Sequence, residues 1–253
     1  MSGFPTALAD SAIMLRRNLR HTLRSPLVLF NAVLFPIVIM LLFVKVFGGA
    51  FSAGGEYVDY ATPGMLVMAV SYGLGSTAAA VNDDMAKGVI NRFRTMDVSR
   101  GAVLTGQVVV TTVRCLVADA AIVAVAFAMG FDPAASALDW LGVLALVVLL
   151  TFGASWLTVA LGLAAKTPES AGLATVPLIM LPFLSSAFVP ADTMGAGMRQ
   201  FAEYQPFTPV IETLRGLLAG SPSTGDAVAA VAWCVGFSVV GYVWAVSAFT
   251  KRA

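Results

Sequence analysis

An all-α integral membrane protein is predicted, with six transmembrane helices, an N-terminal interfacial helix, a short cytosolic helix and an outer re-entrant helical segment. Three observations predict it. Hydrophobic residues fill 58% of the 253 positions and charged residues only 11%. A soluble domain carries about 25% charged residues, so this chain lacks the means to cover a water-facing surface. Six apolar stretches are long enough to cross a hydrocarbon core of about 30 Å, which takes about 20 helical residues. The basic residues lie almost wholly on one side of those stretches.

The whole chain, residues 1–253, reads as a single transmembrane domain. Residues 1–26 form a cytosolic interfacial segment. There Leu8, Ala12, Leu15, Leu19 and Leu23 recur at spacings of three and four, with Arg16, Arg17, Arg20 and Arg24 on adjoining faces. Asp10 suits an internal helix cap, and Ser25-Pro26 ends the helix before the first span. The segment reads as a positive-inside anchor or as a helix that also contacts a partner. The expected spans are Leu27–Phe47, Ala61–Val81, Val108–Gly130, Leu138–Ala164, Ala171–Val189 and Ala227–Phe249. The fourth is long enough to tilt. Pro177 and Pro182 are expected to kink or break the fifth. The first apolar stretch is too long for a signal peptide and lacks a small-residue cleavage site, so it is expected to stay as an anchor.

Orientation follows from Lys and Arg placement. Four arginines precede the first span. Lys87, Arg92, Arg94 and Arg100 lie between the second and third, Lys166 between the fourth and fifth, and Lys251 and Arg252 after the last. The opposite side carries Arg199 and Arg215 among Glu56, Asp59, Asp132, Asp139, Asp192, Glu203, Glu212 and Asp226. Both termini are therefore expected in the cytoplasm, with no cytosolic domain after the last span. The cell membrane is expected to be a bacterial plasma membrane.

The outer segment 190–226 is too long for a structureless loop in a compact protein. Within it Pro206–Gly220 reads as a short amphipathic helix, with Glu212 and Arg215 three apart and Gly220 as its stop. It is too short to span. It should be re-entrant or lie on the outer rim, where Pro206, Phe207, Glu212 and Arg215 are candidates for an outer gate.

The cytosolic segment 82–107 has the strongest local pattern. Met85, Val89, Phe93 and Met96 share one helical face, while Lys87, Asn91 and Arg94 share another. A helix this short is marginal alone, so its apolar stripe needs a membrane surface or a protein groove. Ser99 is placed to cap the helix that becomes the third span. A simpler reading is a basic loop that fixes topology.

Other chemistry is scarce. Cys115 and Cys234 sit in apolar stretches without CxxC spacing and read as buried structural thiols. His21 is the sole histidine, so a histidine metal centre or catalytic triad has little to build on. HExxH and a Cys–His pair are absent, which disfavours a membrane enzyme acting on lipids. Three charges fall within spans. Lys45 and Arg114 are expected to snorkel to the interfaces. Asp119 lies deeper, and five residues from Arg114 is a poor same-face spacing. It reads as a hydrogen-bonded bundle residue, a proton relay or a contact for a cationic compound.

The run Tyr60–Gln107 resembles the ABC-2 type permeases. It has Pro63-Gly64-Met65-Leu66 in the second span and Lys87-Gly88-Val89-Ile90-Asn91-Arg92-Phe93-Arg94 followed by Ser99-Arg100. Within those permeases it is similar to the daunorubicin-resistance-type drug exporters, and Pro206-Phe207-Thr208-Pro209 with Glu212-Thr213-Leu214-Arg215 adds to the likeness. The chain departs from that pattern at Ala86 and Asp97. The resemblance implies a homodimer or heterodimer of permeases bound to two cytosolic ABC ATPase subunits. In such permeases the loop is a coupling helix seated in an ATPase cleft. That implies a buried face of Met85, Val89, Phe93 and Met96, and a polar grip from Lys87, Arg92, Arg94 and Arg100, with Gly88 inside the motif. The chain contains neither GxxxxGKS nor GxxxxGKT, so ATP and Mg are expected on the partner ATPase and no cofactor on this chain. The expected function is export of a hydrophobic or amphipathic compound, drug or lipid, driven by that ATPase. A proton-coupled exporter using Asp119 is the alternative. No nucleic-acid partner is expected.

Overall fold

The computed structural model describes residues 26–48, 57–86 and 100–252, and every regular element among them is helical. Helix α1 runs Pro26–Leu41 and continues as a wider π-helical turn, Leu42–Phe47. Helix α2 is Tyr57–Ala86, α3 is Arg100–Ala128 and α4 is Ala137–Ala164. Two short helices follow, α5 at Pro168–Ala174 and α6 at Val176–Met180, then a 3-10 turn over Leu181–Leu184. Helices α7, Ala196–Tyr204, and α8, Phe207–Leu218, precede the closing helix α9, Thr224–Arg252. The interfacial helix expected over 1–26 lies outside the described residues apart from Pro26.

Among the described residues, four helical stretches are long and apolar enough to cross a membrane: Tyr57–Ala86, Leu104–Ala128, Ala137–Ala164 and Thr224–Thr250. At the expected first span, α1 and its π-helical continuation run from Pro26 to Phe47, and at the fifth the apolar helical stretch is the shorter Pro168–Leu184. The fifth is short for a visible reason. Pro177 and Pro182 withhold two amide donors, and the chain turns at Thr175 before tightening into the 3-10 geometry. Its start also moves. The expected boundary was Ala171, but Thr167 and Ser170 form a capping box that opens the helix at Pro168, where a proline costs nothing because its missing N–H would have no helical partner. Ser136 and Asp139 make the same kind of box at the head of α4.

The outer segment differs from expectation more. One helix was predicted there, but the structure has two, with α7 ahead of α8. Its Arg199–Glu203 pair spans four residues at 2.6 Å, a weak exposed interaction that the hydrophobic periodicity does not announce. Helix α8 ends at Leu218, and Gly220 follows with φ +67°, the left-handed turn a glycine accommodates.

Two apolar cores hold the bundle. The larger joins Met65, Leu66, Leu74, Ile122, Leu150, Phe207, Ile211 and Leu214. The smaller lies at the opposite end and joins Val81, Leu104, Val108, Trp156, Leu163 and Phe249. This second cluster marks the end to which the Lys- and Arg-rich segments attach, hereafter the basic end. Helix α2 is the most enclosed of the long helices. Helix α9 is the least, with Val228, Val231, Val235, Val239, Val243 and Val246 exposed. An outward apolar face of this kind suits lipid contact.

Helices α4 and α9 meet backbone to backbone. A Cβ on Gly153 would lie 2.5 Å from the Cys234 carbonyl oxygen, and one on Gly241 would lie 2.5 Å from the Leu157 nitrogen. Small residues allow such approach, and without water-driven burial that packing is what holds membrane helices together. Gly241→Val is expected to force the pair apart and cost about 1–3 kcal/mol. Gly236→Ala, where an added Cβ meets nothing within 4 Å, should be neutral. Thermal unfolding of the two variants in detergent, followed by tryptophan fluorescence, checks the difference.

Candidate functional site

Three polar groups stand out in an otherwise apolar bundle, one at each end and one between. At the basic end the structure places the roots of the segment 87–99. Lys87, Gly88, Val89, Arg92, Phe93, Arg94 and Met96 lie outside the described residues. Met85 is described, and it packs against the smaller apolar core rather than standing free of the bundle. Arg100 is the first residue of α3. Within the segment expected as a loop, Asn82–Ala86 continue α2 and Arg100–Gln107 begin α3. There Asn82 Nδ2 donates to the Gly162 carbonyl at 3.0 Å and the Ala165 carbonyl at 2.7 Å. Gln107 Nε2 donates to Asp84 Oδ2 at 2.9 Å.

Between the two ends, Arg114 sits fourteen residues after Arg100, the first residue of α3, about 21 Å along the helix axis. It donates to the Gly73 carbonyl at 2.5 Å and to Thr77 Oγ1 at 2.9 Å, and Thr77 in turn pairs with Thr111 at 2.9 Å. The Arg114 Nε is buried without a partner. Asp119 is also buried, and neither of its oxygens has a hydrogen-bond partner among the described residues. The two charges therefore stay apart, as a five-residue spacing on one helix requires. Lys45 is exposed, in the π-helical turn that ends the first apolar helix.

At the far end Arg215 organises three chain segments. Its Nη1 donates to Glu212 Oε1 at 2.6 Å, and its Nη2 donates to the Tyr60 carbonyl at 3.2 Å and the Ser186 carbonyl at 2.9 Å. The guanidinium carbon stands 3.8 Å above the Tyr60 ring, a cation–π geometry. Tyr60 OH donates to the same Ser186 carbonyl at 2.9 Å, and Tyr57 OH to the Phe188 carbonyl at 3.0 Å. Of the other outer candidates, Phe207 is fully buried in the main core and Pro206 sets the start of α8. Helix α8 thus inserts among α2, α4 and α9 instead of lying on the rim.

Sequence reasoning singled out Arg215 and Glu212 but none of their partners across the fold. Tyr57 and Tyr60 share a face at a spacing of three, at the head of an apolar span where aromatic belts form. That signal was available. Asn82, Thr77, Thr111 and Ser186 carry no local signal.

The ABC-2 type transporter family model matches residues 11–219. The daunorubicin resistance ABC transporter permease protein DrrB1 of Streptomyces coeruleorubidus is 31% identical over 223 residues, 87% of this chain and 79% of that protein.

The Arg215 cluster yields a direct expectation. Arg215→Ala takes one donor from each of the Tyr60 and Ser186 carbonyls and leaves Ser186 only the Tyr60 hydroxyl, a cost of about 1–3 kcal/mol, and should loosen the turn after the 3-10 segment. A cysteine introduced as Ser186→Cys should then react faster with a membrane-impermeant maleimide. Tyr60→Phe, which removes one donor but keeps the ring, should have the smaller effect.

Proposed function

The chain belongs to the ABC-2 type transporter family, and on that premise we propose that it is the membrane permease of an ATP-driven exporter. Its cargo is a hydrophobic or amphipathic compound of drug or lipid class, moved outward across the plasma membrane of a bacterium. The working unit is two permeases, identical or not, with two cytosolic ATPase subunits that carry the ATP and Mg. Six spans and cytoplasmic termini complete the reading. The drug-resistance name of the DrrB1 relative supports the cargo class.

One observation carries the mechanism. The basic, amphipathic segment 87–99 is attached at both ends to long helices whose neighbouring turns are bonded together. Met85, Lys87, Gly88, Val89, Arg92, Phe93, Arg94, Met96 and Arg100 form or flank the element that the ATPase grips. Closure of the ATPase pair on ATP displaces this element, tilts α2 and α3, and opens the path between permeases at the far end. There the Arg215 cluster, with Pro206, Phe207 and Glu212, acts as the outer gate.

A second reading has its own observation. Among the described residues Asp119 is buried with neither oxygen bonded, and a carboxyl in that setting suits a proton-coupled exporter.

Purification of the tagged protein from its native membrane is expected to bring down a stoichiometric ATPase. The paired change Phe93→Ala and Arg94→Ala should release it. Transport that survives ATP depletion, with no ATPase bound and with loss in Asp119→Asn, would replace the first reading by the second.

A further inference from the structure

At the basic end three helices are tied by side-chain amides, and the tie to α4 has a specific form. Asn82 is 2% exposed and lies within the last turns of α2. Both bonds from its Nδ2 go to the C-terminal turn of α4, at Gly162 and Ala165. Carbonyls at a helix end have no intrahelical donor, so one side chain satisfies two acceptors that the helix cannot. The helices also touch directly. A Cβ on Gly162 would lie 2.6 Å from the Ala78 carbonyl oxygen, which leaves no slack between α2 and α4 one turn away from the amide.

Around this contact the smaller apolar core draws Val81 of α2, Leu104 and Val108 of α3, Trp156 and Leu163 of α4 and Phe249 of α9 into one cluster. Behind it the close approaches of Gly153 to Cys234 and of Gly241 to Leu157 lock α4 to α9. The segment 87–99 is joined in sequence only to α2 and α3. By sequence alone, α4 and α9 would receive none of its motion.

We propose that Asn82 is the positioning residue that makes α4 move with the 87–99 segment, so that α2, α3, α4 and α9 travel as one block when that segment is displaced. The inference rests on the permease reading and deepens it. Two helices are coupled by chain connection and two more by the Asn82 clamp and the glycine contacts behind it. The amide suits this task because it bonds a backbone whose position is set by a whole helix. A side-chain partner would transmit less, since its own rotation would absorb the displacement.

The test uses the intact complex with its ATPase in lipid vesicles. Spin labels are placed at Ala86→Cys and Lys166→Cys, two exposed positions flanking the clamp, while the native Cys115 and Cys234 are buried. The label distance is measured without nucleotide and with ATP and vanadate. The expected result is one unchanged distance in the otherwise native chain. In Asn82→Ala, and in Asn82→Asp, which keeps the shape but removes both donors, the distance should shift on trapping while ATP hydrolysis continues. A merely structural role would lower the yield of complex without creating a nucleotide-dependent shift.

A short bis-maleimide bridging the same two cysteines in the Asn82 background gives a second measurement that needs no destabilising change. The bridge should leave hydrolysis intact if the helices move together. A distance that already shifts with Asn82 present, no shift in either variant, or hydrolysis stopped by the bridge would overturn the proposal and leave the permease reading standing. A preparation that never holds an ATPase would overturn both.

Discussion

The structure depends on one constraint: wherever helical geometry stops inside an apolar bundle, the freed carbonyls must find a donor from elsewhere in the chain. The proline-bearing stretch is where it presses hardest. After the 3-10 turn at Leu181–Leu184 the chain runs through Ser186 and Phe188 without regular helical bonding. Its carbonyls are met by Tyr60, Tyr57 and Arg215. That requirement brings the head of α2, the broken helix and α8 to one point, which explains why α8 is drawn into the bundle. A guanidinium suits the position because its fork serves Glu212 and two carbonyls at once, and its flat face rests on an aromatic ring.

The same constraint shapes the opposite end with different chemistry. There the helix end to be satisfied belongs to α4, and a neutral amide meets it. Charge is kept for the segment beyond, where Lys87, Arg92 and Arg94 stand in sequence. The two ends are further separated by having distinct apolar cores. A transporter must open one end while the other stays closed, and two cores joined by long helices permit that better than a single continuous one. Between them, Arg114 is bonded to α2 through Gly73 and Thr77, whereas Asp119 has no hydrogen-bond partner among the described residues.

Much of the fold was legible in the amino-acid order because helices in a membrane are selected by length and polarity, both local properties. The Ser136–Asp139 box lies next to the boundary at Leu138 that apolar length alone indicated. The Glu212–Arg215 pair was legible too, since a spacing of three on a helix makes neighbours of opposite charges. Helix α7 was missed because its nine residues are too few and on average too polar for a span, although its apolar and polar residues separate onto two faces. The bonds of Arg114 to Gly73 and Thr77 were not legible because they depend on the facing helix.

The sequence by itself determined the membrane class, the apolar stretches, the asymmetry of charge between the two sides and the place of the basic amphipathic segment. These follow from the free energy of placing each residue in hydrocarbon or water, which needs no knowledge of neighbours. Only the tertiary structure decided which helices touch and which polar groups answer one another. Asn82 and Gly162 are 80 positions apart, and Tyr60 and Arg215 are 155 apart. Such pairs arise because a backbone carbonyl accepts from any donor that reaches it, so residue type leaves the partner open and the packing of the bundle chooses it.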